Sequence, residues 1–310
     1  MVCNVGQGME VCWLQRGVRY DADSGDWDAA VDSDALPAGH GKRAMSNMIS
    51  ERAIRGDNAQ KICTLLCEQW RHDDLKVFVL RGESQSQQTG AREWYEGLFP
   101  FIGTPAHLAE DVRSGDREHQ RTGGIWMEVR YDSRFPDAYR HSARAQPLHT
   151  DGSYIPTFPN ASLMTCIANT AEGGETTFID SPVLIQVLRR EAPELLDELL
   201  STPVPHARSG DRRDEPIIRQ VGDRTRVNWN YYCVAADATS TARDLAETFH
   251  QFLLDSPGVK AGTQTVKLWP GDALLWKDAE VLHGRNAFVP TRESDRFLWK
   301  CAVDVGNFRG

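Results

Sequence analysis

Apolar and polar positions alternate along this chain with two periods, and the first clear one is helical. Ala59, Ile62, Leu65, Leu66 and Trp70 recur at three- and four-residue intervals, which puts one apolar face on a helix ending near His72-Asp73-Asp74. The strand Lys76-Val-Phe-Val-Leu-Arg81 follows, closed by Gly82. Two short helical stretches are expected over Gln87 to Leu98 and Ala106 to Val112, then a strand over Gly124 to Tyr131 and a polar segment, Asp132 to Gln146, rich in Arg, Ser and Tyr. Leu163 to Ile167 has strand composition, and Gly173-Gly174 marks a turn before the strand Thr176 to Asp180. Ser181 and Pro182 read as the cap and first-turn proline of a helix, and Pro193 opens another to Leu200.

The second half is read in the same way. His206 to Glu215 is expected to be an Arg- and Asp-rich loop. Ile217 to Val221 and Thr225 to Val234 form a hairpin about Gly222-Asp223, with Asn228, Asn230 and Tyr232 on one face of the returning strand. Ser240 or Thr241 caps a helix to Leu254. Thr265 to Trp269 and Ala273 to Trp276 form a second hairpin about Pro270-Gly271-Asp272. In the last strand, Arg296 to Val303, alternation places Arg296, Leu298 and Lys300 on one side and Phe297, Trp299 and Cys301 on the other. Many short strands joined by tight turns, with helices outside, describe a mainly β protein: a double-stranded β-helix, the jelly-roll barrel of cupins.

Composition narrows this picture. A chain of 310 residues, 40% hydrophobic and 25% charged, can bury a full core, and one domain over 46–310 preceded by an acidic N-terminal arm over 1–45 is expected. The net charge of −9 counts against a nucleic-acid partner, which needs a basic stripe. Seven scattered cysteines read as reduced, and Cys63 and Cys67, four apart on the first helix, read as core packing. No apolar run reaches the ~18 residues of a membrane span and no signal-peptide pattern is present, so a cytoplasmic protein without a membrane partner is expected.

The candidate chemistry centres on Pro147 to Asp180. A non-haem iron centre that activates oxygen takes two imidazoles and one carboxylate on one face of the metal. His149 and Asp151, two residues apart where a strand becomes a loop, present one of each to the same side. A second His-x-Asp, at His72, has no comparable surroundings and reads as a helix end. Twenty-seven residues after His149 comes Thr176, inside Gly173-Gly174-Glu175-Thr176. A late His283-Gly284-Arg285 and an Arg296-x-x-x-Lys300 follow.

Together these motifs resemble the iron(II)- and 2-oxoglutarate-dependent oxygenases of the taurine dioxygenase and clavaminate synthase superfamily, over roughly Leu75 to the C-terminus. The resemblance implies His149, Asp151 and His283 as iron ligands. It also implies Thr176 and Arg296 as the holders of the 2-oxoglutarate tail carboxylate, with O2 as co-reactant. Arg292, nine residues past His283, competes with Arg296, which is favoured because it heads an apolar strand. Lys300 stands where relatives place a cation against an anionic substrate, and Asn228, Asn230, Tyr154 and Arg285 are further candidate substrate contacts. Asp132 to Gln146 is a candidate lid. The expected activity is hydroxylation of an unactivated C–H bond in a small polar metabolite with an acidic group, an amino acid or related acid, with release of succinate and CO2. Desaturation or cyclisation is the alternative reaction, and a non-catalytic small-molecule-binding jelly roll the alternative class.

Overall fold

The computed structural model describes residues 48–54, 56–82, 91–111, 113, 115–117, 124–169 and 172–306, together with the backbone of 19–20 and 27–28. The chain divides into two compact units, Met1–Ala44 and Met45–Gly310. In the first, Arg19–Tyr20 pairs antiparallel with Trp27–Asp28. The rest of the expected N-terminal arm lies outside the described residues, as do Cys3 and Cys12.

The second unit is built on two sheets. The larger has seven strands in the order Ile49–Ala53, Val77–Arg81, Ala273–Lys277, Ala161–Asn169 and Arg296–Val305, with Gly103–Pro105 and Met127–Arg130 both paired to the far side of the last. The smaller has four, in the order Gln264–Val266, Thr176–Asp180, Val281–Arg285 and Gln146–His149. From Gln146 onward the members of these sheets fall into two runs and alternate within each: 146–149 small, 161–169 large, 176–180 small, then 264–266 small, 273–277 large, 281–285 small, 296–305 large.

Alternation within each strand decides what packs where. Along the strand Val77–Arg81, Val77 and Val79 face the smaller sheet and join Phe178, Val266 and Val281 in a core between the sheets, while Phe78 and Leu80 face outward. The outward face is covered by the helix Ala59–Trp70 through Ile62, Cys63 and Leu66, and by the short helices Ala91–Glu96 and Phe99–Ile102. The other side of the smaller sheet carries the helices Ser181–Glu191, Pro193–Ser201, Ser240–Asp255 and Pro257–Gly262 over Ile179 and Leu282. Apolar burial of this kind contributes roughly 25 cal/mol per Å², and the two faces of each strand use it separately.

Several expectations need correction. The segment from 106 to 111 is not helical. His206 to Glu215 is no loop but the hairpin Pro203–Arg208 with Asp211–Pro216, turning at Ser209 and Gly210, both at positive φ. The strand after Gly222-Asp223 ends at Val227, and Tyr231–Cys233 is a 3-10 turn capped by the Asn230 side chain, so the alternation read through Tyr232 does not hold. Thr239, not Ser240 or Thr241, caps the helix Ser240–Asp255. Ser181 is the first helical residue, and its hydroxyl donates to the Glu280 carbonyl rather than capping. The Pro270-Gly271-Asp272 turn exists but joins no hairpin: Gln264–Val266 pairs with Thr176–Asp180 and Ala273–Lys277 with Ala161–Asn169, so the turn carries the chain from one sheet to the other.

Candidate active site

His149 ends one strand of the smaller sheet and stands directly opposite His283, in the neighbouring strand. Asp151 follows in the turn that leaves the sheet. The two imidazole Nε2 atoms lie 3.8 and 3.6 Å from Asp151 Oδ1, and one donor atom from each residue falls within 4.8 Å of the others. A first-row metal with bonds of roughly 2.1 Å at right angles needs donors about 3 Å apart, so the three groups would draw together to hold such an ion.

The surroundings set the protonation that ligation needs. His149 Nδ1–H donates to the Pro147 carbonyl at 2.9 Å, leaving Nε2 as the lone pair facing Asp151. Burial, with His283 beside it, pushes the His149 imidazole down to about 3, and burial lowers His283 as well, so both are neutral. Burial alone would raise the Asp151 carboxyl, but the Lys300 ammonium and the imidazoles hold it well below the usual carboxylate range. Lys300 Nζ straddles this carboxylate, 2.6 Å from Oδ1 and 2.5 Å from Oδ2. The substrate-anion role expected of Lys300 therefore meets a competing partner: its charge is already matched by Asp151.

Two residues that motif reading passed over hold the triad. Asp278, buried in the 3-10 turn Asp278–Glu280, accepts the Asp151 backbone N–H at 2.9 Å and the Trp276 indole N–H at 3.0 Å. Its Oδ1 lies 3.8 Å from His283 Nδ1, a buried nitrogen with no hydrogen-bond partner among the described residues. Ser162 donates to Asp151 Oδ2 at 2.9 Å. An imidazole that binds a metal through one nitrogen presents the other to a carboxylate or carbonyl, and Asp278 is placed for that. No sequence signal marked it, since it is one of 44 acidic residues.

Beside the triad stand two buried guanidinium groups. Arg296 Nε donates to the Gly174 carbonyl at 3.2 Å. One Arg285 amino group donates to the Ser142 and Arg144 carbonyls, and its Nε has no partner among the described residues. Burial lowers Arg296 to about 10 and Arg285 to about 9, the second also pressed by the first, so both remain cationic at neutral pH. Among the described residues neither has a carboxylate partner, and a desolvated, unpaired cation is costly until an anion arrives. Thr176 lies directly opposite Arg285 across two strands. The glycine pair before it has a steric reason: at Gly174, φ +72°, a Cβ would come within 3.0 Å of Arg296 Nε. Arg292 is exposed and does not line the cavity that Arg285 and Arg296 border.

The triad, Ser162, Thr176, Arg285, Arg296 and Lys300 border one cavity of about 470 Å³, also lined by Tyr154, Asn230 and residues 136–140 of the candidate lid. Tyr154 turns its hydroxyl to Glu110 at 2.5 Å. Asn228 is outside the cavity, its amide donating to the Ser153 carbonyl, because the strand ends before it. His72 is exposed in the turn after the first helix, away from any metal group. The described cysteines are unpaired and buried.

Comparison with known proteins agrees with this geometry. Gamma-butyrobetaine dioxygenase of Pseudomonas sp. (strain AK-1) is 28% identical over 190 residues, 58% of this chain and 49% of that protein. Trimethyllysine dioxygenase of Meyerozyma guilliermondii is 24% identical over 186 residues, 55% of this chain and 45% of that protein. The chain thus spans about half the length of the curated relatives it matches. Among solved structures, an asparagine oxygenase in complex with Fe(II), 2S,3S-3-hydroxyasparagine and succinate superposes with a TM-score of 0.54 at 14% identity, over 79% of this chain and 78% of the other. The non-heme iron oxygenase OrfP, in complex with Fe, succinate and (3S)-hydroxy-L-Arg, gives 0.53 at 17% identity over 79% of each. These two share the fold. Residues 61–302 match the family described as taurine catabolism dioxygenase TauD, TfdA family, and the chain is a member of that family.

Proposed function

We propose that the protein is an iron(II)- and 2-oxoglutarate-dependent oxygenase that hydroxylates a small polar metabolite, an amino acid or related acid. The observation that carries this is the pairing, in one cavity, of a His149–Asp151–His283 donor set, its imidazoles neutral and its carboxylate ionised, with two buried guanidinium groups that lack a carboxylate among the described residues. A binding protein without oxidation chemistry would need only one of the two. In this reading the alternation of strands between the sheets is a double-stranded β-helix, with the metal near one open end.

Iron(II) with 2-oxoglutarate supplies, when bound, the oxidation of a C–H bond by O2 with release of succinate and CO2. His149, Asp151 and His283 would hold the metal on one face and leave the other to ligands. Arg296 would take the distal carboxylate of 2-oxoglutarate as a planar fork, with the Thr176 hydroxyl as a further donor. Asp278 keeps the His283 ring and the Asp151 backbone in place. The relatives named for gamma-butyrobetaine and trimethyllysine act on small amino-acid-like molecules, which supports the substrate class.

The test is spectroscopic. Anaerobic addition of iron(II) and 2-oxoglutarate should give a weak visible charge-transfer band, which His149→Ala and Asp151→Ala abolish. A normal band in both variants would remove these residues from the ligand set. Succinate release screened over a panel of amino acids then identifies the substrate.

A further inference from the structure

The wall of the cavity carries seven cationic side chains against three carboxylates, in a chain whose net charge is −9. Most of these cations are accounted for. Lys300 meets Asp151, Arg144 meets Asp137, and Arg285 and Arg296 form the group beside Thr176. Arg117 and Arg208 converge on Glu110, at 2.7 and 3.0 Å.

Arg140 is the exception. Its guanidinium makes one hydrogen bond, to the Glu110 backbone carbonyl at 2.9 Å, and among the described residues has no carboxylate within salt-bridge distance. The Glu110 carboxylate acts on it through space but makes no ion pair with it. Oε1 already accepts from Arg117, the Tyr154 hydroxyl and Ser209, and Oε2 from Arg208. Asp111 and Glu128 act on Arg140 only from a distance. Burial lowers its pKa, and the charge of Glu110 offsets this only in part. Arg140 shares no hydrogen bond with the triad or with Thr176, Arg285 and Arg296, so it forms a second cationic pole of the same cavity.

We propose that Arg140 binds a carboxylate of the substrate, so that the substrate is an organic acid held at Arg140 while another carbon is presented to the metal. This rests on the oxygenase reading above and names the residue that selects the substrate. A guanidinium with most of its five N–H donors uncommitted accepts a carboxylate in bidentate fashion, which an ammonium cannot do. Lys300, the cation expected for this task from the sequence, is taken by Asp151.

The test uses protein loaded anaerobically with iron(II) and 2-oxoglutarate, and pairs of an L-amino acid with its decarboxylated amine, read as a shift of the charge-transfer band. Acids should bind and the matching amines at least tenfold more weakly. Arg140→Gln should lose at least tenfold in acid affinity, Arg140→Lys less, with 2-oxoglutarate affinity within about threefold of wild type. An amine that binds as tightly as its acid, or an Arg140→Gln protein that binds the acid within twofold, overturns the proposal. Loss of the band itself in Arg140→Gln overturns it too, because Arg140 would then serve the metal site.

A second measurement decides the matter even if no compound in the panel binds. A cation kept for a ligand supports the fold little, so Arg140→Met should melt within about 3 °C of wild type, whereas Arg117→Met, which breaks two ion pairs, should fall further. If Arg140→Met falls as far as Arg117→Met, Arg140 is structural and the proposal fails.

Discussion

Asp278→Asn replaces one acceptor oxygen by an NH2 group at almost no change in volume, which makes it the sharpest probe of how the triad is held. The carboxylate accepts the Asp151 N–H on Oδ2 and the Trp276 indole N–H on Oδ1, at 2.9 and 3.0 Å, in a fully buried position. An amide has one acceptor oxygen. In either orientation its NH2 group must face one of these two donors, leaving a buried N–H without a partner at about 1–3 kcal/mol. At ~2–4 °C per kcal/mol for a domain of this size, the metal-free protein should melt several degrees lower. The larger effect is on the metal. The carboxylate 3.8 Å from His283 Nδ1 would no longer accept that N–H once Nε2 is ligated, and losing such a partner typically costs roughly 10–100-fold in metal affinity. Iron(II) titration of the 2-oxoglutarate-saturated protein, followed by its charge-transfer band without oxygen, measures this directly. An iron affinity within threefold of wild type would refute the positioning role of Asp278.

Three further outcomes are expected. Arg296→Ala should raise the 2-oxoglutarate requirement at least tenfold while iron still binds, since truncating a buried charge partner costs on the order of 2–5 kcal/mol, and Arg292→Ala should change it by less than threefold. The opposite pattern in 2-oxoglutarate titrations would move the clamp to Arg292. Lys300→Met should tighten iron(II) binding, by roughly threefold or more, because the ammonium on both Asp151 oxygens competes with the metal for the same carboxylate; weaker iron binding in equilibrium dialysis would count against that competition. Burial pushes the Asp180 carboxyl up to about 6, eased by Lys76 and aggravated by Glu280, with Oδ1 unpaired. A carboxyl raised on folding contributes stability that is complete below about pH 4 and lost as pH rises through 6, at most ~3 kcal/mol. Denaturation of Asp180→Asn should accordingly show a gain over wild type between pH 4 and 7, and an unchanged difference would dismiss the titration.

Local features could be read from the chain alone. The strand Thr176–Asp180 was legible to the residue and the helix Ala59–Trp70 to within a couple of residues of its end, because period 3.6 and the glycine pair before Thr176 are short-range signals. The same holds for the face shared by Arg296, Leu298 and Lys300: a strand alternates whatever its neighbours. The family motifs were legible because each lies within a few residues. Groups that meet across the chain had to wait for the folded molecule. Whether Thr265 and Ala273 belong to one hairpin or to two sheets depends on partners nearly a hundred residues away, since both sides of Pro270-Gly271-Asp272 look like strand. Lys300 and Asp151 are 149 positions apart, and Asp278 and Asp151 are 127. Charge and spacing in sequence carry no information on such pairs. A cation reads the same whether a carboxylate meets it or not, so the contrast between the paired Lys300 and Arg140, which lacks a carboxylate among the described residues, exists only once the sheets close around the cavity and remove the water that would otherwise serve both.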